Sequence, residues 1–364
     1  SKLIHATGCV SSACLRLEPC IYAFLMSKSR NIFKDSLVVK RKKVVTISQV
    51  AQAAGVSRST VSRAFTKPHL IGSKTVEKVK AIARELDYFP NQLARALSTG
   101  QYANIAMIVP DVANPFFPPM IRAAQDAAYQ SDFCVFLGNS GEDVENEDTL
   151  VRRFLSQVDG LILASSRLPK KRLLEFSLIK PVVLINRDIE GIPRVLIDSQ
   201  DGMIEAVQHL AKRGHKKIAY VSGPEASWSN QSRLSAIQQA VKENNLELVV
   251  LPAQLSSYEV DTNIVDKLLE YGASVAIAFD DMTAHDLMGG LSMRGLKVPE
   301  DFSIIGCDDV LGAYTSPPLT SISNRSSEAG TLAVSLLFEM LKPNSIKDSR
   351  IVLNTQLVVR KSTS

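Results

Sequence analysis

The stretch VTISQVAQAAGVSRSTVSRAF, from Val45 to Phe65, crowds Ser57, Arg58, Ser59, Thr60, Ser62 and Arg63 into seven consecutive positions. Arginine can grip guanine O6 and N7 with two hydrogen bonds, and short hydroxyl side chains suit phosphate oxygens or helix caps. A solvated helix face is the alternative for Arg58 and Arg63. The spacing builds the elements that would carry these groups. Thr46 and Gln49 stand at capping-box distance, so a first helix can begin at Ile47 and turn Ile47, Val50, Ala51 and Ala54 to one apolar face. Gly55 ends that helix and Ser57 caps the next, with Val61 and Ala64 inward and Arg58, Ser59 and Arg63 outward. Two helices joined by so short a turn predict a helix-turn-helix.

The charge distribution agrees with that reading. The chain of 364 residues carries a formal net charge of +5, but residues 1–100 hold 17 Lys and Arg against 5 Asp and Glu, and the remainder holds 25 against 32. A basic head on an acidic body suits nucleic-acid attraction, which rewards local charge. A hydrophobic content of 45% allows a large core and two or three domains. Cys9, Cys14 and Cys20 fall in the leader, while Cys134 and Cys307 lie in apolar runs that read as buried strands, so a reducing, cytoplasmic setting is expected. The apolar IYAFLM at Ile21–Met26 is short and lacks a small-residue cleavage pattern, and no stretch approaches the ~20 apolar residues of a membrane span.

Further along, Ser73 is expected to cap a third helix with Val76, Val79, Ile82, Ala83 and Leu86 at helical spacing, stopped by Pro90. Asn91 can cap a short helix over Gln92–Ser98 that ends at Gly100 and needs a partner to form. From Ala103 the chain alternates helical stretches with nine apolar runs: NIAMIVPD, FCVFLGNS, VDGLILASS, KPVVLINRD, RVLIDS, KKIAYVSGP, LVVLPAQ, SVAIAFDD and FSIIGCDD. Such runs predict parallel sheet covered on both faces, with ligands at the polar carboxyl ends of the strands.

From about Val44 onward the sequence resembles the LacI family of bacterial transcriptional regulators. The likeness rests on motifs in order: VTISQVAQAAGVSRSTVSR, LDYFPNQLARAL, VPDVANPFF, HLAKRGHKKIAYVSGP, NQSR, VPEDFSIIGCDD and PPLTSI. The resemblance implies an α/β fold: an N-terminal helix-turn-helix head (44–90), a hinge helix and linker (91–102), and a two-lobed periplasmic-binding-protein-like core with parallel sheets (103–364). It places Arg58, Ser59 and Arg63 at base-reading positions; Thr46, Ser57, Thr60, Ser62 and Asn91 are phosphate or cap candidates. Leu97 becomes a minor-groove wedge and Ala94 the close approach of two hinge helices. The implied partners are a near-palindromic double-stranded operator, a second copy of the chain and a small-molecule effector. The segment LNTQLVVRKSTS carries no heptad pattern, so a dimer is expected rather than a tetramer.

The same resemblance places effector contacts at Ser165, Asn186, Arg233, Asp280, Asp308 and Asn324, with Tyr258 as a flat apolar surface. Asn114 reads as a helix cap with Pro115 in the first turn, leaving Phe116 and Phe117 to the cleft wall or the core. Arg233, Asp280 and Asp308 would be costly to bury without mutual pairing or a polar ligand. Carboxylates accept from sugar hydroxyls and arginine donates to them, which favours a sugar or sugar derivative over a purine. Asp280 stands where many family members have asparagine, which bears on the ligand's identity.

Catalysis has little support. No Walker loop, GxGxxG fingerprint or nucleophile turn is present, and His209 and His215 are six residues apart, not the four that would place two metal ligands together on one helix. No cofactor or metal is expected. The rival readings are a periplasmic-type sugar-binding protein, which leaves the basic head unexplained, and a nucleotide-using α/β enzyme, which lacks phosphate-loop chemistry. Residues 1–38 have no counterpart in the family pattern and translation is expected to begin at Val39 or, failing that, Met26; the leader over 1–43 is expected to be disordered or not native.

Overall fold

The computed structural model describes residues 45–89, 100–252, 262–343 and 348–364. The leader, the expected helix over 92–98, and Asn91, Ala94, Leu97 and Tyr258 lie outside the described residues. The chain divides into two compact units on either side of residues 91 and 92.

In the first unit, α1 (Ile47–Ala54), α2 (Arg58–Thr66) and α3 (Ser73–Glu85) enclose Val50, Ala54, Val61, Ala64 and Val79, each without solvent exposure. The Gln49 side chain accepts from the Thr46 amide at 2.8 Å and from the Thr46 hydroxyl at 3.0 Å. Gly55, at φ 66°, closes α1 in the left-handed conformation that glycine adopts without steric cost. The third helix departs from expectation at both ends. Gly72 is its N-cap and Ser73 is already helical, and it stops at Glu85, well before Pro90. Leu86 and Tyr88 pack back on the small core, and the turn between them puts Asp87 at φ 57°.

The second unit contains two lobes, and all nine apolar runs are strands. In lobe 1, β1 (Asn104–Val109), β2 (Cys134–Asn139), β3 (Gly160–Ala164), β4 (Val182–Ile185), β5 (Arg194–Asp198) and β11 (Arg350–Asn354) form a parallel sheet in the order β11-β5-β4-β3-β1-β2. In lobe 2, β6 (Lys217–Ser222), β7 (Glu247–Pro252), β8 (Val275–Ala278), β9 (Ser303–Cys307), β10 (Thr320–Ile322) and β12 (Leu357–Val358) are ordered β12-β10-β9-β8-β6-β7, with β12 alone antiparallel. The fully apolar central strands are explained by helices on both faces. Lobe 1 is covered by α4 (Phe117–Tyr129) and α11 (Ser326–Met340) on one face and by α5 (Val144–Leu155) and α6 (Lys170–Ile179) on the other. Lobe 2 has α7 (Gln200–Lys212) and α8 (Trp228–Glu243) on one face and α9 (Thr262–Glu270) and α10 (Asp281–Met293) on the other. One cysteine departs from expectation. Cys307 is buried, but Cys134 is exposed because β2 is an edge strand paired to β1 alone. No helix among the described residues is long and apolar enough to cross a membrane.

The chain passes between the lobes after β5, after β10 and after β11, and these crossovers are hydrogen-bonded side by side. The Thr355 amide donates to the Asp198 carbonyl at 3.2 Å and the Ser323 amide to the Gln356 carbonyl at 2.9 Å. Arg325 adds a bond from Nη1 to the Asn354 carbonyl at 3.0 Å.

Helix α11 packs on the lobe 1 sheet and approaches α4 closely. A Cβ built on Gly330 would lie 2.3 Å from the Met120 carbonyl oxygen, in backbone that cannot rotate away. Gly330→Ala is therefore expected to destabilise the core by about 1–3 kcal/mol, as overpacking does. Urea unfolding of the full chain measures this, and an unchanged midpoint would contradict the packing.

Candidate nucleic-acid interface and ligand cleft

On the first unit, Ser57 organises the start of α2. Its Oγ accepts from the Thr60 amide at 3.1 Å and lies 2.7 Å from the Ser59 hydroxyl and 2.8 Å from that of Thr60. This satisfies one of the amides that a helix start leaves open. Arg58, Ser59 and Arg63 are exposed on the helix so fixed, while Thr60 and Ser62 are half-buried. Thr46 is exposed at the cap of α1. The face thus offers two arginines and short hydroxyls on a rigid helix whose opposite side, Val61 and Ala64, is core.

In the second unit the carboxyl ends of the strands face one another across a cleft. Asn114, Phe116, Phe117, Ser165 and Asn186 from lobe 1 and Arg233, Asp280 and Asp308 from lobe 2 line one cavity of about 50 Å³. Arg233 is 4% exposed. Its Nη2 donates to Asp308 Oδ1 at 2.8 Å, its Nη1 to the Phe279 carbonyl and its Nε to the Ser199 hydroxyl at 3.4 Å. Burial pushes the Asp308 carboxyl up, and the Arg233 charge opposes that shift. Asn186 accepts from the Ile197 amide at 2.9 Å. Two larger hollows, of about 520 and 490 Å³, lie elsewhere on the second unit, but neither brings strand ends of both lobes together.

Backbone strain marks the same place. Glu142 (φ 60°), Ser165 (φ 50°), Asn186 (φ 53°) and Asp308 (φ 92°) all line the cavity in the left-handed region. Such conformations cost ~1–3 kcal/mol each and persist where surrounding structure enforces them.

Three expectations need correction. Asn114 does not cap α4, which begins at Phe117 after Phe116; it closes the preceding turn, accepting from the Phe116 amide at 3.0 Å, and Pro115 lies in that turn. Arg233 does not pair with Asp280. Asp280 instead caps α10, accepting at Oδ1 from the Thr283 amide at 2.8 Å and hydroxyl at 2.7 Å, while Oδ2 accepts across the cleft from Asn114 Nδ2 at 3.2 Å. Asn324 does not line the cavity; it follows β10 in a crossover, where its Oδ1 accepts from the Ser326 amide at the start of α11. Phe116 and Phe117 serve as both cleft wall and core, edge to face at 5.1 Å between centroids.

Residues 46–91 match the family model for bacterial regulatory proteins of the lacI family, and residues 207–363 match that for a periplasmic binding protein-like domain. Catabolite control protein A of Streptococcus mutans is 34% identical over 328 residues, covering 88% of this chain and 98% of that protein. The chain belongs to the lacI family of bacterial regulatory proteins. The Lac repressor dimer bound to operator and the anti-inducer ONPF superposes with a TM-score of 0.79 at 28% identity, over 88% of this chain and 99% of that one. A LacI family regulator from Enterococcus faecalis with bound ribose gives a TM-score of 0.66 at 31% identity, over 72% of this chain and 98% of that one. As a member of the family, the chain is a DNA-binding transcriptional regulator.

Several cleft residues are not among those that the sequence reading singles out. Glu142, Arg167, Ser227, Ser229 and Phe279 also line the cavity. Ser227 and Ser229 stand at the start of α8, just before the NQSR motif, and their helix-cap spacing could have found them. His209 and His215 have other roles. His209 Nε2 meets the Thr363 hydroxyl at 2.9 Å and His215 Nδ1 the Ser274 hydroxyl at 2.7 Å. Burial holds His209 neutral, lowered to about 4.

Asp281, fully buried beside Asp280, ties the Asp308 loop to lobe 2. Its Oδ1 accepts from the Ser321 hydroxyl at 2.6 Å, and its Oδ2 from the Val310 and Leu311 amides at 2.8 and 2.9 Å. Burial outweighs these donors and pushes its carboxyl up to about 7. The unfolded chain then releases this proton at lower pH than the folded one, so the Asp281 contribution to stability falls as pH rises from about 4 to about 7. In thermal melts across that range, the parent should lose stability relative to Asp281→Asn as pH rises. A difference independent of pH would contradict the assignment.

Proposed function

We propose that this regulator is a repressor that binds a near-palindromic operator as a homodimer in the cytoplasm and is controlled by a sugar held between its lobes. The observation that carries the reading is the cleft itself. Asn114, Ser165 and Asn186 face Asp280, Asp308 and Arg233 across it, at strand ends where open α/β sheets place ligands. The relatives bound to operator and to ribose support the same division of labour between head and core. A periplasmic-type sugar-binding protein would use the cleft but not the head.

A ligand changes DNA affinity only by binding two core conformations unequally, and residues on both lobes supply that difference. With about 50 Å³ free, the cleft has room for one or two waters at ~30 Å³ each. The lobes must part to admit a sugar. On the head, Arg58, Ser59 and Arg63 read bases, while Thr46, Ser57, Thr60 and Ser62 position the helices against phosphates. Asn91, Ala94 and Leu97 complete the DNA contact from the hinge, and Tyr258 is an additional wall for the effector.

Two substitutions test the two halves separately. Arg58→Ala should relax preference at particular base pairs by ~1–3 kcal/mol while sparing non-specific, salt-sensitive attraction. Operator titrations at fixed salt measure this, and a variant with the parent's specificity would remove Arg58 from the reading surface. Arg233 is a poor probe because its loss strands Asp308 in the interior. Asp280→Asn keeps a capping oxygen and removes one charged acceptor, so sugar affinity should fall by ~1.5–3 kcal/mol while the head's non-specific, salt-sensitive attraction to DNA stays that of the parent. A sugar response at the parent's concentration would remove Asp280 from the site.

A further inference from the structure

The cleft carries a second guanidinium whose state decides what charge the ligand can have. Arg167, on lobe 1, lines the cavity with a side chain only 7% exposed. All three of its nitrogens are engaged. Nε and Nη2 donate to the two Glu142 carboxylate oxygens at 2.7 and 3.1 Å, and Nη1 donates to the Ser165 carbonyl at 2.8 Å. This is the forked pairing in which guanidinium and carboxylate match best. Glu142 is delivered to it by strained backbone: Gly141 and Glu142 are both left-handed, at φ 67° and 60°, and both amides donate to the Pro110 carbonyl at the end of β1. A non-glycine residue held at positive φ to present a carboxylate at the mouth of a cleft fits a functional constraint better than a surface accident.

The consequence appears in what the cleft has left to offer. Every nitrogen of Arg233 donates once, to Asp308, Phe279 or Ser199, as every nitrogen of Arg167 does to Glu142 or Ser165, so each cation is already paired with a carboxylate. Among the described residues, the groups of the lining that remain open include Asp308 Oδ2, Asn186 Nδ2 and the Ser165 and Ser229 hydroxyls, together with Asn114 Nδ2 and Asp280 Oδ2, which hold each other at 3.2 Å across the gap. The lining carries three carboxylates against two guanidiniums. Hydroxyl groups donate to such carboxylates, whereas a phosphate or carboxylate on the ligand would meet them with both guanidiniums of the described lining already neutralised by a carboxylate.

We infer that Glu142 is a specificity-determining residue: by occupying the Arg167 guanidinium it restricts the cleft to uncharged polyhydroxyl ligands and rejects phosphorylated or acidic sugars. The inference rests on the sugar reading for its ligand, but the gate itself is a property of two side chains. Glu142→Gln removes a negative charge and leaves one acceptor oxygen for two donors, so one edge of Arg167 turns to the cavity.

The test titrates the full chain with neutral pentoses and hexoses, the phosphate ester of each, and inorganic phosphate, by calorimetry. The parent should bind a neutral sugar at least about tenfold tighter than its ester, and Glu142→Gln should narrow that ratio by roughly tenfold, equivalent to ~1.4 kcal/mol. Glu142→Gln with Arg167→Ala should lose the gain. An ester bound by the parent as well as its neutral counterpart, or a ratio unmoved in Glu142→Gln, overturns the inference. If no sugar binds either protein, the sugar reading fails, and the phosphate arm decides the gate. Phosphate binding that rises about tenfold in Glu142→Gln upholds it, and equal binding to both proteins overturns it.

Discussion

The second unit is organised around a buried cation. Arg233 is withdrawn from water, a transfer that costs several kcal/mol unless acceptors replace the lost hydration. Its acceptors come from three separate places: Asp308 after β9, the Phe279 carbonyl after β8, and Ser199 in the crossover that follows β5. Satisfying one guanidinium therefore fixes two strand ends of lobe 2 relative to each other. It also ties them to the point where the chain enters from lobe 1. Asp281 adds a second anchor, holding the loop beyond Asp308 by two amides and Ser321.

This arrangement makes one wall of the cleft rigid and leaves the relation between the lobes soft. The hydrogen bond from Asn114 to Asp280 spans the cleft at 3.2 Å, and a contact of that kind contributes only ~1.5–3 kcal/mol even with a charged acceptor. A ligand that supplies its own hydroxyls to Asp280 and Asn114 can replace it at little cost. The crossovers, bonded to one another through Thr355, Asp198, Ser323 and Gln356, are then the natural axis of movement.

Much of this was legible before the structure. Strands buried on both faces must be apolar throughout, so nine of them announce themselves, and the helix starts at Ser57 and Asp280 lie at residues whose side chains cap well. The missed strands have physical reasons. Thr320 and Ser321 of β10 are fully buried yet polar because the Arg360 amide donates to the Thr320 hydroxyl and the Ser321 hydroxyl donates to Asp281, so no apolar run marks the strand. The pairing of Arg233 with Asp308 rather than Asp280 depends on which carboxylate is already spent as a helix cap. Glu142 and Arg167 meet across 25 residues through a strained turn, which spacing alone does not encode.

The central claim is that a sugar acts by changing the disposition of the two lobes. Spin labels at position 178 on α6 of lobe 1 and position 243 on α8 of lobe 2, both exposed, would report it directly in the operator-bound full chain. The account predicts that a sugar which alters operator affinity shifts the distance distribution between the labels, and that Asp280→Asn requires more sugar for the same shift. Release of the operator with the distance distribution unchanged would contradict it.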